Sequence, residues 1–140
     1  MSQIELKAGI YDKLTAVQTS GTLYDDITGR IFEGQARHDE TLPLLIYNVI
    51  LDDPATTFSK NHIDATVQFD LYYPASSGAA AAAVTNDKIY ALLHTSNQGT
   101  AWATTGHATA HGICTERGQL TFEEDAIRIR SEFQILATEQ

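Results

Sequence analysis

The chain has 140 residues, a hydrophobic fraction of 43% and a formal net charge of −9. This length is typical of one domain with its own core, and the hydrophobic fraction is too high for a disordered chain. Binding to nucleic acid through phosphates needs clustered Lys and Arg, which the sequence lacks. The single cysteine, Cys114, excludes an intrachain disulfide and is typical of a reducing compartment. We therefore expect one globular domain over residues 1–140, with no signal peptide and no membrane span.

The first predicted element is an amphipathic helix at the N-terminus. Its apolar residues recur at helical spacing: Leu6, Ile10, Leu14 and Val17. Ser2 and Glu5 form a capping-box pattern at its start, and Ser20 with Gly21 should end it. A linker with turn residues at 25–26 follows, and residues 31–32 begin a short strand.

Two long strands are predicted next. Residues 44–51 are apolar except for Asn48, which is typical of a strand that is buried on both faces or covered by a neighbour in an assembly. Residues 62–73 alternate strictly, so one face should be apolar and the other wet. The apolar set is Ile63, Ala65, Val67, Phe69, Leu71 and Tyr73. The polar connection 52–61 is predicted to be a long loop, of a kind that is often functional.

A second helix is predicted from five consecutive alanines at 79–83, because alanine is the best helix former. Ile89, Leu92 and Leu93 extend it as an amphipathic helix to about His94. Its small side chains should let the helix pack closely against the sheet.

The last third of the chain is predicted to be mainly strand. Residues 107–115 form a strand, followed by a turn at 116–118 and a short extended segment at 120–122. Residues 126–136 alternate again, with Ser131 as the one small polar residue on the inner face. The order of elements predicts an α+β fold: one mainly antiparallel sheet covered by the N-terminal helix and the Ala-rich helix.

No catalytic motif is present, since nucleophile-elbow, P-loop and dinucleotide-binding patterns are all missing. His107 and His111 would share a strand face about 13 Å apart, too far for one metal ion. The carboxylates at 52–53 and 123–125 lack calcium-loop spacing. We therefore predict no catalytic residue, metal or cofactor. The alternative is a small intracellular binding module or enzyme that uses His107 or His111.

Contacts with other subunits are predicted at a few exposed positions. Tyr72 lies on the otherwise polar face of its strand, where it is either a lone surface aromatic or a subunit contact, because tyrosine is enriched in interfaces. The remaining candidates lie in the long loop and in the turn-rich segment 97–106: Asp52, Asp53, Phe58, Lys60 and Trp102.

Read together, these segments resemble the phage tail completion family, the tail terminator or tail-to-head joining proteins of long-tailed bacteriophages. The resemblance rests on order and pattern across nearly the whole chain: Ile10-Tyr11 with Leu14, then residues 29–32, 42–47, 69–73, 89–93 and 127–133. One departure follows residues 34–36, where family members often have proline and this chain has Arg37-His38-Asp39.

The resemblance implies a non-enzymatic virion part. Such a protein forms a ring, usually of six copies, at the head-proximal end of the tail tube, where it stops tube growth and docks the tail to the head. Its partners would be further copies of itself, the major tail tube protein and a head-tail connector or neck protein. The genome would pass through an acidic lumen without specific binding, because like charges repel phosphate. Assembly would take place in the host cytoplasm, and another connector or neck component is the alternative.

Overall fold

The computed structural model describes residues 3–35, 41–53, 62–93, 102–104, 107–122 and 125–139. The helical elements are α1 (Gln3–Thr15), α2 (Leu23–Asp26), a single turn of 3-10 helix (Ala75–Ser77) and α3 (Ala79–Leu93). The strands are β1 (Ile31–Glu33), β2 (Leu44–Asp53), β3 (His62–Pro74), β4 (Trp102–Thr104), β5 (His107–Phe122) and β6 (Ala126–Glu139). The predicted α+β class, with both long helices, is confirmed.

Within the described residues the strands form one six-stranded sheet in the order β1-β2-β3-β6-β5-β4. The short β1 is parallel to β2, and every other neighbouring pair is antiparallel. The two central strands are β3 and β6, which pair without a register shift from His62 opposite Thr138 to Pro74 opposite Ala126. The middle of the sheet is therefore its most regular part.

All three α-helices cover the same face of the sheet. Their buried side chains form one cluster with inward residues of β1, β2, β3 and β6. At its centre the rings of Phe69 and Phe133 meet edge to face, with centroids 5.5 Å apart. Each such fully buried side chain contributes about 1.5–3 kcal/mol of transfer free energy. The strict alternation of β3 thus places one face in the core, as predicted.

The first helix ends earlier than predicted. It stops at Thr15, whose hydroxyl donates back to the Tyr11 carbonyl. The prediction of a helix to Ser20 was wrong, and Val17 is 52% exposed and outside the core. The physical reason is that a second helix starts independently: the Thr22 side chain caps α2, and Leu23 supplies the next buried contact.

The predicted linker therefore contains a helix. Asp25 and Asp26 lie in the first turn of α2, where carboxylates interact favourably with the helix dipole. A pattern of two acidic residues is common to turns and to helix starts, and only the burial of Leu23 and Ile27 distinguishes the two here.

Strand β2 is not buried on both faces in the described chain. Leu45, Tyr47 and Val49 lie in the core, whereas Ile46 is half-buried and Ile50 is 45% exposed. The alternative of a neighbour in an assembly that covers this second face stays a prediction.

Strand β5 runs through the segment that was predicted to be a turn. The chain accommodates residues 116–118 as a bulge, with register shifts on either side of Glu116 and with Gly118 at a φ of +76°. Glycine adopts this conformation without steric cost, so the same residue that suggests a turn also permits a bulged strand. The turn-rich segment before β5 likewise contains the short strand β4.

A buried polar chain joins α3 to the sheet. Ser131 lies on the inner face as predicted, 2% exposed, and its hydroxyl donates to the Asn86 side-chain carbonyl at 3.1 Å. The Ser131 hydroxyl oxygen also accepts a hydrogen bond from the backbone N–H of Gly118 at 3.1 Å. One side chain therefore satisfies both a helix residue and the bulge.

Replacing Ser131 by Ala should lower the free energy of unfolding by about 1–3 kcal/mol, because the Gly118 N–H and the Asn86 carbonyl lose a buried partner. The measurement is the midpoint of urea unfolding. Ser76→Ala, at an exposed serine, is the control. Equal midpoints for the two variants would contradict the role of this chain of bonds.

Candidate interaction surfaces

Among the described residues, no helix lies on the second face of the sheet, here called the open sheet face. It is formed by outward residues of the three strands β2, β3 and β6: Ile46, Asn48, Ile50, Thr66, Gln68, Asp70, Tyr72, Arg128, Arg130, Glu132 and Gln134. The face is mixed, with charged groups at the centre and isoleucines on β2.

An ion pair lies at the centre of the open sheet face. Asp70 and Arg130 are directly opposite across β3 and β6, and their contacts measure 2.8 Å (Nε to Oδ1) and 3.2 Å (Nη2 to Oδ2). Asp70 is only 6% exposed, so the prediction that this face is simply wet was wrong at this position. The hydrogen bond to Asp70 raises the pKa of Arg130 above its ordinary value. Beside this pair, the Gln68 amide donates to Glu132 at 2.9 Å.

Replacing Arg130 by Leu should destabilise the fold by about 2–4 kcal/mol, because the Asp70 carboxylate is left buried without its cation. The double variant Asp70→Leu, Arg130→Leu should recover most of that loss, since it removes both charges. Chemical denaturation of the two variants and of Asp70→Leu completes the cycle. A single variant as stable as the double would contradict the pairing.

The predicted contact residues do not form one site. Tyr72 is half-buried on the open sheet face, opposite Leu44 and Arg128. Asp52 and Asp53 end β2, where Asp53 lies opposite Asp64, roughly 26 Å along β3 from Tyr72 at the usual rise per residue.

Of the other candidates, the structure describes only Trp102. Trp102 is on β4, at the far edge of the sheet, while Phe58 and Lys60 lie outside the described residues. Contact roles for all six residues stay predictions.

The two histidines lie on β5, as the strand prediction required, and a register shift lies between them. His107 is opposite Glu139 and His111 is opposite Leu136, with a shift between His107 and Thr109. The backbone register is therefore irregular between the two residues, and the prediction that they share a face stays a prediction. In the part of the chain that the structure describes, no group of three His, Cys, Asp or Glu residues is placed to hold a metal ion.

A second surface is an apolar groove between the helices, with a volume of about 290 Å³. Its lining comes from the end of α1, the start of α2 and the second half of α3: Leu14, Val17, Gly21, Thr22, Leu23, Lys88, Ala91 and Leu92. Lys88 is the one charged residue in this lining. No local sequence pattern predicts the groove, because it is formed only where three separate helices meet.

A polar chain fixes the walls of this groove. Lys88 pairs with Asp26 at 2.5 Å, which ties α3 to α2. Asp26 also accepts the Thr85 hydroxyl at 3.0 Å, so Tyr73 must be the donor in its 2.5 Å bond to Thr85. The bonds run from the sheet to the rim of the groove, and they hold α2 and α3 at a defined separation.

The first helix is tied to the sheet through Tyr47. The buried hydroxyl of this residue donates to the backbone carbonyl of Lys7 at 3.3 Å, and Lys7 pairs with Glu33 at 2.7 Å. Burial raises the pKa of Tyr47 to about 12, with a smaller contribution from the Glu33 carboxylate.

This shift predicts alkaline destabilisation. Because the pKa is about 12 when folded and about 10 when unfolded, the stabilisation is complete below pH 10 and is lost as the pH rises to 12. The loss should be about 2 kcal/mol in the free energy of unfolding and should be absent in Tyr47→Phe. It should persist in Tyr11→Phe, where an exposed tyrosine loses the same group. An identical loss in Tyr47→Phe would overturn the assignment.

None of the helices in the described ranges combines the length and apolar character needed to cross a bilayer.

The comparisons with known proteins support the fold alone. No known protein family matches the sequence, and no curated protein matches it. A solved chain from the virion of a native gene transfer agent particle is similar, with a TM-score of 0.70 over 96% of this chain and 95% of that one, at 13% identity. A second solved structure, which carries no descriptive name, has a TM-score of 0.66 over 100% and 97%, also at 13% identity. The chain thus shares its whole fold with a protein of a virion particle.

Proposed function

We propose that this chain is a structural protein of a phage-type virion, and that it forms the tail completion ring at the head-proximal end of the tail tube. The observation that carries the proposal is the fold match to a chain of a gene transfer agent virion over nearly all of both chains. The match covers 96% of this chain and 95% of that one, so the likeness concerns the whole described fold rather than one part of it.

The finer role rests on the sequence resemblance to tail terminators together with the surfaces of the fold. A ring component must contact copies of itself and two unlike neighbours, the tube and the neck. The described chain offers an open sheet face, an apolar groove and several exposed apolar side chains for such contacts. The role requires no catalytic residue, and the proposal assigns none.

The net charge of −9 suits a passage for DNA. A wall that carries negative charge does not hold phosphates, so the genome would slide through the ring without specific binding. In the assembled particle the ring would end tube growth by occupying the tube's last layer and would present its other side to the neck.

The test is assembly. Purified protein, alone or mixed with tail tubes, should form closed rings in negative-stain micrographs and should bind one end of each tube. Tubes polymerised in its presence should stop growing at that end. If the protein stays monomeric at all concentrations and does not bind tube ends, the proposal is wrong.

A double variant, His107→Ala with His111→Ala, separates this function from the alternative of a histidine-dependent enzyme or binding module. The variant should assemble and cap tubes as the unmodified protein does. If capping survives, the two histidines have no essential role in it. If instead a chemical activity is found that disappears in the variant, the result would support the enzyme and would count against the virion protein.

A further inference from the structure

The segment that carries α2 is self-contained in its main chain. Residues 21–29 are here called the α2 flap, and every backbone hydrogen bond that they make in the described chain ends within residues 19–31. The first main-chain bond to the sheet lies just beyond the flap, where the Leu45 N–H donates to the Arg30 carbonyl at 2.9 Å. Because buried main-chain groups must keep their partners, a segment of this kind can move without a main-chain penalty in the rest of the fold.

Contacts inside the α2 flap maintain its shape. The ring of Tyr24 lies against Gly29, where a Cβ atom would be 2.7 Å from the ring carbon Cζ, so glycine is required at that position. At the other end the Asp25 carboxylate accepts the Gly21 N–H at 3.2 Å. A helix of one turn is not stable alone, so these local contacts are what allows the flap to keep its form.

Three side chains attach the α2 flap to the rest of the molecule. Leu23 and Ile27 are buried in the core, which is an apolar and non-directional attachment. The third is Asp26, whose Oδ2 atom accepts the Thr85 hydroxyl at 3.0 Å and pairs with the Lys88 ammonium group at 2.5 Å. Asp26 therefore supplies the directional bonds that join the flap to α3.

The α2 flap also forms one wall of the apolar groove. Its first three residues line the groove opposite the second half of α3. One of them, Gly21, has a φ of +85°, and no atom lies within 4 Å of the place where its Cβ would be. The backbone is thus free to turn at this residue, as glycine permits. A rotation there would move the flap away from α3 and widen the groove.

We propose that the α2 flap opens and closes as a unit over the apolar groove, and that Asp26 is the latch that holds it closed. Opening takes Leu23 out of the core and joins the space beneath the flap to the groove, which becomes a longer apolar slot along α3. Such an opening precedes global unfolding, because it exposes only one part of the core and leaves the sheet intact. The inference goes beyond the proposed ring and does not depend on it.

The first experiment measures opening by thiol labelling with dithionitrobenzoate in a chain with Cys114 replaced by Ala. Leu23→Cys places a thiol on the buried side of the flap, and Ile135→Cys places one in the core on β6. The thiol at position 23 should react in native buffer with little dependence on urea. The thiol at position 135 should react only through global unfolding, with the full urea dependence. Equal rates and equal urea dependences would overturn the proposal, and Ile27→Cys replaces Leu23→Cys if that variant does not fold.

The second experiment tests the latch by comparing Asp26→Ala with Asp25→Ala. Both remove a carboxylate from the first turn of α2, but Asp25 bonds inside the flap. Asp26→Ala should raise the labelling rate at position 23 about tenfold above that of Asp25→Ala, because a charged acceptor of two hydrogen bonds is lost. A rate at position 23 that does not change, together with a lower midpoint of urea unfolding, would show that Asp26 stabilises the fold without latching the flap.

The third experiment tests whether Lys88 acts through the same latch. Lys88→Met keeps the length of the apolar stem and removes the ammonium group. Alone, it should raise the labelling rate at position 23. Combined with Asp26→Ala, it should add little to that variant's rate, because residues that share one interaction are not additive. A combined effect equal to the product of the two separate effects would overturn the latch between Asp26 and Lys88.

Discussion

The structure depends on the unshifted pairing of β3 with β6, whose two faces have opposite chemistry. A slip of one residue would turn every side chain of one strand to the other face. Asp70 would then enter the core without a cation, while Phe69 would face outward. The ion pair between Asp70 and Arg130 therefore helps to specify the register as well as to stabilise it. Its net energy is modest, because desolvation of both groups offsets much of their attraction.

Local patterns predicted the elements that are long and strictly periodic: β3, β6, the body of α1 and the Ala-rich α3. They also placed Ser131 correctly on an inner face. They failed where the outcome depends on partners distant in sequence. Nothing local distinguishes the helix start at Thr22 from a turn, or the bulge at Gly118 from a hairpin, because burial of Leu23 and the bond from Ser131 decide them. Local patterns could not predict the groove or the ion pair between Asp70 and Arg130 for the same reason.

Sequence pattern and fold comparison support the functional proposal at different levels. The fold match to a gene transfer agent virion chain involves only 13% identity, so it shows architecture shared without much shared sequence. That divergence is compatible with a structural protein, where the order of elements and the position of the core matter more than individual surface residues. The narrower proposal of a tail completion ring comes from the order of segments in the sequence. The exposed surfaces of the fold are available for the contacts that such a ring needs.

The placement of every described helix on one side makes the molecule two-sided. In the proposed ring of identical copies, each point of one side would recur at regular angles around the axis. A single codon change at Gln68, to lysine for example, would then place a circle of new charges in the particle, one per subunit. One substitution in such a protein recurs in every subunit, so its effect on the assembly is multiplied. Substitutions should therefore accumulate more slowly on the surface that lines the assembly than on its rim.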